Sequence, residues 1–176
     1  MATERFTITD GSDMQGYFNM YANELLPLCE GNVLDLGCGE GWLTKQIAEK
    51  EKVNFVLALD KFTKQPAVNF HKKIIYLGYD ITKLEIEGTF DTIIATEFVE
   101  HITEEDLMRL LPKIRRNLSL KGVFIGSTPN KIAPTINEYH LKEYTLNEFK
   151  NLLNYADFNN EVKILGREDL MVWIAR

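Results

Sequence analysis

The sequence feature that most constrains the fold of this chain is a glycine-rich turn that directly follows a short apolar run. The run covers Asn32–Leu36, residues 37–41 read Gly-Cys-Gly-Glu-Gly, and a helical pattern then continues to about Lys50. Glycine is needed where the backbone takes a positive φ or where a ligand approaches the main chain closely. This segment therefore predicts a strand, a tight turn and a helix, with a ligand bound at the turn.

Short apolar runs alternate with segments of helical period along the rest of the chain. The predicted strands cover 32–36, 53–59, 74–79, 90–96, 123–127, 162–165 and 170–175; the predicted helices cover 14–28, 41–50, part of 63–71, 103–117 and 145–155, with a turn-rich stretch at 81–89. Such alternation is typical of α/β domains. We expect a Rossmann-like, doubly wound, mostly parallel seven-stranded sheet with helices on both faces and a C-terminal antiparallel hairpin.

The size and composition of the chain fit one globular domain of 176 residues, of which 45% are apolar and 26% charged. We expect the α/β core over 31–176. Residues 1–30 precede it as a helical segment that we expect to form a lid over the ligand. On that segment Tyr17 and Tyr21 share one helix face, where they either close over the ligand or pack into the core.

Composition also constrains the compartment and the partners. No apolar run approaches the roughly 20 residues of a membrane span, and Met1–Asp10 lacks the layout of a signal peptide. Cys29 and Cys38 are too few for a disulfide framework and lack zinc-site spacing, which favours a reducing compartment. The formal net charge of −6 disfavours nucleic acid as a partner. We expect a cytoplasmic protein with a small-molecule partner and no membrane partner, and we predict no oligomeric state.

An aspartate lies at or near the end of each of the first three predicted strands. Asp35 precedes the glycine turn, where it would repel a phosphate and attract a cation such as the α-amino group of an amino-acid-like ligand. Asp60 could accept hydrogen bonds from both hydroxyls of a ribose, and Asp80 could accept one from an adenine amino group. Phe62 could pack on a purine face. Because these strand ends meet at one edge of the sheet, they predict a pocket for an amino-acid-bearing nucleoside.

The glycine spacing separates classes of cofactor. Its Gly-x-Gly-x-Gly pattern differs from the Gly-x-Gly-x-x-Gly of dinucleotide binders, and no Gly-Lys-Ser/Thr follows, as a phosphate-binding loop would require. A nicotinamide-dependent dehydrogenase is therefore disfavoured.

The segment Asp35–Gly41 resembles the signature loop of class I S-adenosylmethionine (SAM)-dependent methyltransferases. The resemblance covers nearly the whole chain, because the later strand-end acids and the closing hairpin fall in the family's order. It implies SAM as the cofactor and S-adenosylhomocysteine as its product. Together with the strand-end reasoning above, it gives the cofactor-binding residues Asp35, Gly37, Cys38, Gly39, Asp60, Phe62, Asp80, Ile81 and Thr96.

A polar cluster follows the fourth predicted strand, where Glu97, Glu100 and His101 lie within five residues. His140 follows the fifth strand, and neighbouring strand ends could bring the two histidines together. A hydroxyl acceptor benefits from a general base, and histidine has a near-neutral pKa suited to that work. We predict His101, His140 and Glu97 as catalytic residues. The alternative is that they brace or belong to the neighbouring loops.

The Glu-x-x-Glu-His pattern with a later histidine is similar to that of the ubiquinone-biosynthesis O-methyltransferases. It is also similar to that of the 2′-O-methyltransferases of small-RNA 3′ ends, which use such residues to hold a divalent metal. The resemblance implies Glu97, Glu100, His101 and His140 as ligands of Mg²⁺, Mn²⁺ or Zn²⁺. However, the pattern is also common among small-molecule methyltransferases that bind no metal, in which Glu100 or His101 braces a loop.

Three functions remain open on the sequence. The leading hypothesis is SAM-dependent O-methylation of a small hydroxylated metabolite, since the chain contains neither Asn/Asp-Pro-Pro-Tyr nor Pro-Cys and has no room for a substrate domain. The first alternative is a metal-assisted 2′-O-methyltransferase of RNA 3′ ends, which the net charge disfavours. The second is a SAM-binding module that is catalytically silent, which the intact Glu97–His101 cluster disfavours.

Overall fold

The computed structural model describes residues 11–62, 71–83, 85, 87–131, 138–166 and 169–176. Within these ranges the strands are β1 Gly31–Leu36, β2 Val53–Asp60, β3 Ile74–Gly78, β4 Phe90–Thr96, β5 Leu118–Pro129, β6 Asn160–Leu165 and β7 Leu170–Ala175. The helices are α1 Gly11–Leu25, α2 Trp42–Ala48, α3 Glu104–Asn117 and α4 Leu146–Tyr155. The helix predicted within 63–71 and the side chain of Tyr17 lie outside the described part.

The seven strands form one sheet in the order β3-β2-β1-β4-β5-β7-β6. The first five strands are parallel, whereas β7 runs antiparallel to both β5 and β6. The predicted seven-stranded sheet with its closing hairpin is therefore confirmed. The strand order reverses between β1 and β4, which is the position where sheets of this type bind ligands.

Neighbouring residues of a strand point to opposite sides of the sheet. Helices cover the apolar side chains on both of these faces. Leu34 and Ile93 belong to one buried cluster with the apolar side chains of α3 and α4. Val33 and Ile94 belong to a second cluster with those of α1 and α2. Strands buried on both faces must be apolar almost throughout, which explains the continuous apolar runs.

The described part of the N-terminal segment packs against the core. Tyr21 is buried in the second cluster, and its side chain is hydrogen-bonded to Thr96 at the end of β4. Tyr21 therefore takes the packing role that the sequence left open, and the role of residues 1–30 as a lid stays a prediction.

A threonine cap marks the start of each of two helices, α3 and α4. The Thr103 hydroxyl accepts a hydrogen bond from the Asp106 N–H at 3.1 Å, and α3 begins at the next residue. Thr145 and Glu148 bond reciprocally at the start of α4. Each pair satisfies N–H groups that the first helical turn would otherwise leave unbonded.

Two boundaries differ from the prediction. β5 begins at Leu118 rather than 123, since Leu118 pairs with Phe90 of β4 across an irregularity in the register. The turn-rich stretch after β3 contains a short 3₁₀ helix, Ile81–Lys83. Polar residues such as Ser119 and Lys121 concealed the first part of β5 from a search for apolar runs.

A membrane-crossing helix would have to be longer and more apolar than any helix among the described residues.

Gly126 of β5 lies where the sheet admits no side chain. A Cβ at this position would collide with the Ala95 carbonyl oxygen of β4 and the Trp173 indole of β7. We expect Gly126→Ala to lower the free energy of unfolding by about 3 kcal/mol, because backbone and a packed ring cannot both move away. Urea unfolding measures this change.

The control is Gly16→Ala in α1, where no atom in the described part of the chain lies within 4 Å of an added Cβ. Alanine has the higher helix propensity, so this variant is expected to gain about 0.5–1 kcal/mol. Equal effects of the two substitutions would contradict the packing described for Gly126.

Candidate active site

The glycine turn joins β1 to α2 at the point where the strand order reverses. Gly37, Gly39 and Gly41 all have positive φ, at 76°, 52° and 80°. The N–H groups of Gly37 and Cys38 donate to the Leu59 carbonyl of β2 at 2.8 and 3.1 Å. The turn is therefore held against the end of the neighbouring strand.

The first and second glycines of the turn have different surroundings. A Cβ on Gly37 would lie 2.6 Å from the Phe98 ring, so packing alone requires glycine there. Among the described residues, no atom lies within 4 Å of a Cβ on Gly39. The main chain at Gly39 is consequently open to close approach by a ligand.

Asp60, the last residue of β2, ties the turn to the strand end. Its Oδ2 accepts from the Gly39 N–H at 2.9 Å, and its Oδ1 accepts from the Phe62 N–H at 2.8 Å. An ionised carboxylate only accepts hydrogen bonds, which is the chemistry that the hydroxyls of a ribose require. The Phe62 ring is 74% exposed, with the Lys61 ammonium 5.5 Å from its centroid. The ribose and purine roles stay predictions.

Asp35 is buried beneath the turn, and its Oδ2 accepts from the Thr44 hydroxyl of α2 at 2.6 Å. Burial raises its pKa to about 6, while the Thr44 hydrogen bond opposes that rise. Burial also raises the pKa of the adjacent Cys38 thiol. The predicted contact of Asp35 with an α-amino group stays a prediction, and Thr44 is a partner that sequence reasoning missed.

Asp80 caps the 3₁₀ turn after β3. Its Oδ1 accepts from the Thr82 hydroxyl at 2.8 Å, which is the largest cause of its lowered pKa. Its Oδ2 forms ion pairs with Lys61 at 3.1 Å and Lys83 at 3.6 Å. The Ile81 side chain is buried in the core. These contacts show a turn-forming role for Asp80, and the adenine contact stays a prediction.

Glu97 follows β4 with a φ of 47°, which is uncommon for a residue other than glycine. Its N–H donates to the Ser127 carbonyl at 2.9 Å, and its Oε1 accepts from the Ser127 hydroxyl at 2.8 Å. β5 therefore holds Glu97 in a backbone conformation that costs energy. Such conformations concentrate at functional sites.

A second 3₁₀ turn, Val99–His101, places the remaining polar residues. Glu100, His101 and His140 each offer one ligand-type atom, and these three atoms lie within 4.8 Å of one another. The two imidazole rings meet edge to face, with their centroids 5.1 Å apart. The structure thus brings together three of the four predicted metal ligands, while Glu97 is not in this group of three.

Glu100 is fully buried. Its Oε2 accepts from the Thr128 hydroxyl at 3.0 Å, and its Oε1 has no hydrogen-bond partner among the described residues. Burial, with a further contribution from the Glu97 carboxylate, raises its pKa well above the usual range. The Glu100 carbonyl accepts from the Leu141 N–H at 2.8 Å. The main chain at Glu100 therefore contacts the loop before α4, and both the ligand role and the bracing role of its side chain stay predictions.

His101 is held by the same loop. Its Nδ1 lies 3.0 Å from the Tyr139 carbonyl oxygen. A carbonyl can only accept, so Nδ1 carries the proton and Nε2 carries the lone pair. Nε2 lies 3.9 Å from the Glu100 Oε1. Burial is the largest cause of a lowered His101 pKa, which favours a neutral ring that can act as a base.

Several partners in the site could not be found from sequence spacing. Thr128 is 28 residues from Glu100, and the Tyr139 carbonyl is 38 residues from His101. Glu143 contacts His140 and also lacks a motif of its own. Position was the one signal available, because Thr128 directly follows the predicted strand 123–127 and Glu143 is three residues after the predicted site residue His140.

The strand order, the glycine turn and the strand-end acids together define the fold of the SAM-dependent methyltransferases. A family model described as a methyltransferase domain matches residues 33–122, about half of the chain. The chain belongs to this family as a class I domain whose cofactor is SAM.

Curated relatives and solved structures agree with this assignment. The chain is 28% identical to the malonyl-(acyl-carrier protein) O-methyltransferase of Bacillus anthracis, over 69% of this chain and 45% of the relative. It is 28% identical to the ubiquinone biosynthesis O-methyltransferase of Rickettsia typhi, over 56% of this chain and 41% of the relative. The chain spans about half the length of the first of these curated relatives.

One solved structure extends the comparison of the fold. It is the 1,6-didemethyltoxoflavin-N1-methyltransferase of Burkholderia thailandensis with bound 1,6-didemethyltoxoflavin and S-adenosylhomocysteine, with a TM-score of 0.74 and 22% identity. The similarity covers 96% of this chain and 79% of that protein. At this identity the likeness shows the shared fold.

The open space beside Gly39 leads to a prediction for the effect of a methyl side chain at this position on SAM affinity. In Gly39→Ala the left-handed backbone costs about 1–2 kcal/mol, but the Cβ meets no atom of the residues that the structure describes within 4 Å. We expect a folded variant whose SAM dissociation constant rises at least about tenfold, equivalent to ~1.4 kcal/mol. Calorimetry measures the affinity, and thermal unfolding checks the fold.

Gly37→Ala is the matched control, because its Cβ would enter the Phe98 ring. This variant should lose more stability than Gly39→Ala. Unchanged SAM affinity in Gly39→Ala would remove this glycine from the cofactor site.

The buried carboxyl of Asp35 predicts a pH-dependent stability. Its pKa is about 6 in the folded protein and 3.8 in the unfolded chain. The folded state therefore binds more protons between these values, and Asp35 lowers the free energy of unfolding as the pH rises through them. Asp35→Asn lacks this contribution.

We expect the free energy of unfolding of Asp35→Asn, relative to wild type, to increase by on the order of 3 kcal/mol between about pH 3.5 and about pH 7. Urea unfolding at several pH values measures this difference. A difference that is constant across the range would show that Asp35 is not a buried carboxyl with a raised pKa.

Proposed function

We propose that this chain transfers the methyl group of SAM to an oxygen atom of a small hydroxylated molecule, with His101 as the general base. The observation that carries the proposal is the grouping of Glu100, His101 and His140 beside the cofactor turn. Phe98, which packs on Gly37, leads directly into the turn that bears His101. The Asp60 carboxylate is near enough to influence the His101 pKa.

The residues around the turn fit the cofactor. Gly39 leaves its main chain open, and Asp60 stands at the end of β2 with acceptor positions for a ribose. Bound SAM supplies an electrophilic methyl group on a sulfonium. The protein's part is to hold the acceptor oxygen in line with that group and to take the hydroxyl proton.

His101 suits the role of base better than His140. The His101 side chain is 36% exposed, and that of His140 is 11% exposed. An acceptor can therefore reach His101, whose Nε2 carries the lone pair and whose lowered pKa keeps the ring neutral near pH 7. His140 packs against the edge of the same ring and supports its position.

Four curated relatives are O-methyltransferases by name and two are N-methyltransferases, so the balance of these names supports oxygen as the acceptor atom. The acceptors that these names state are those of the relatives and are not assigned to this chain. Here a small hydroxylated acceptor rests on the polar cluster.

A second candidate function rests on the same three residues. A carboxylate oxygen and two imidazole nitrogens suit Mg²⁺, Mn²⁺ or Zn²⁺, and the Glu100 Oε1 lacks a hydrogen-bond partner in the described part of the chain. Glu100, His101 and His140 would hold the ion, and it would lower the pKa of an acceptor hydroxyl. A divalent ion in this cluster would favour 2′-O-methylation of an RNA 3′ end. The net charge of −6 opposes an RNA partner.

The test uses metal-stripped protein titrated with SAM by calorimetry, then with Mg²⁺, Mn²⁺ or Zn²⁺. Formation of S-adenosylhomocysteine is followed with a panel of hydroxylated metabolites and with short RNA. SAM binding with metal-independent turnover on a metabolite supports the leading proposal. A separate heat for metal and turnover on RNA supports the second. SAM binding without any turnover is the result expected of a catalytically silent module.

We expect His101→Ala to bind SAM with wild-type affinity and to lose roughly 100-fold or more in turnover, because a general base contributes about that much. His71→Ala is the matched control, since His71 precedes β3 outside the cluster. Full turnover in His101→Ala would eliminate the proposed base.

A further inference from the structure

The second histidine of the cluster has a buried carboxylate behind it. The Glu143 Oε1 contacts the His140 Nδ1 at short distance, and Glu143 is only 6% exposed. Its other oxygen, Oε2, has no hydrogen-bond partner among the described residues. A buried carboxylate is costly unless it is paired, so its contact with His140 is the interaction that offsets its burial.

This contact determines where the His140 proton lies. An ionised carboxylate only accepts hydrogen bonds, so Nδ1 is the nitrogen that carries the proton. The lone pair of the neutral ring is then on Nε2. His101 has the same arrangement, with the Tyr139 carbonyl in place of the carboxylate.

The backbone around Glu143 is fixed on both sides. The N–H groups of Leu141 and Lys142 donate to the Glu100 carbonyl at 2.8 and 3.3 Å, and the Tyr144 carbonyl accepts from the Lys131 N–H at 2.9 Å. The Tyr144 side chain is fully buried. The position of the Glu143 carboxylate is therefore fixed by main-chain hydrogen bonds on both sides and by the buried Tyr144 side chain.

We propose that Glu143 is a positioning residue that holds His140 in its Nδ1–H tautomer and so makes Nε2 the acceptor nitrogen of the cluster. This inference deepens the proposed function, because it concerns the same site. Carboxylates behind histidines serve this purpose where the imidazole must present one defined nitrogen. With Glu143 in place, His101 and His140 both present Nε2 as acceptors, which suits a shared proton or cation beside Glu100.

His71 provides an internal contrast. Its Nδ1 accepts from the Lys73 N–H at 3.3 Å, so its proton belongs on Nε2. The chain contains only three histidines, and each is expected to show a single tautomer. His101 and His140 should be Nδ1–H, and His71 should be Nε2–H.

The experiment is a long-range ¹H–¹⁵N correlation spectrum of the imidazole rings in ¹⁵N-labelled protein, at a pH above their titration. Substitutions His71→Asn and His101→Asn assign the signals. We expect the Nδ1–H pattern for His140 in the wild type. An Nε2–H pattern for His140 in the wild type overturns the proposal without any variant of Glu143.

In Glu143→Leu, which removes the acceptor at similar volume, we expect the His140 signal to move to the Nε2–H pattern. The His101 and His71 signals should stay unchanged, which also shows that the variant is folded. Retention of Nδ1–H by His140 in folded Glu143→Leu overturns the proposal. A variant that does not fold leaves the decision to the wild-type spectrum.

Kinetics provide a second readout once an acceptor is known. In the metal-assisted candidate function, where His140 is a ligand, Glu143→Leu should lower kcat by about 10- to 100-fold while the SAM dissociation constant stays constant. The spectrum requires neither SAM nor an acceptor, so failure of the proposed methyl transfer is distinguishable from failure of the tautomer assignment.

Discussion

The cofactor side of this structure depends on the hydrogen bonds that the Asp60 carboxylate accepts. This carboxylate accepts from the N–H groups of Gly39 and Phe62 at once, so one side chain joins the turn after β1 to the chain that leaves β2. A turn with three positive-φ glycines has little order of its own. Its shape comes from the strand ends beside it, which are fixed by the sheet.

The opposite side of the site is built by different means. There the 3₁₀ turn after β4 meets the loop before α4, and hydroxyls at the end of β5 bind the carboxylates of Glu97 and Glu100. Positive φ at Glu97 and full burial of Glu100 both cost energy. Burial of the two apolar clusters offsets these costs. A stable scaffold therefore supports a strained and partly dehydrated polar centre.

The fold followed from the sequence because each of its signals is local. An apolar run, a glycine turn and the helix caps at Thr103 and Thr145 each lie within a few residues. The site followed only in part, because His101 and His140 can be placed at neighbouring strand ends while their partners cannot. Separation of Glu97 from the three-residue group depends on Ser127 of another strand, and no pattern in the chain specifies that contact.

The loop between β5 and α4 is tied at both of its ends. Lys131 donates to the Tyr144 carbonyl, and Leu141 donates to the Glu100 carbonyl. The Glu100 carbonyl belongs to the turn that bears His101, so the bond from Leu141 joins the two segments that carry the histidines. Main-chain hydrogen bonds do not depend on which side chains the residues bear, so the side chains around the site can diversify while the spacing of the proton-handling residues persists.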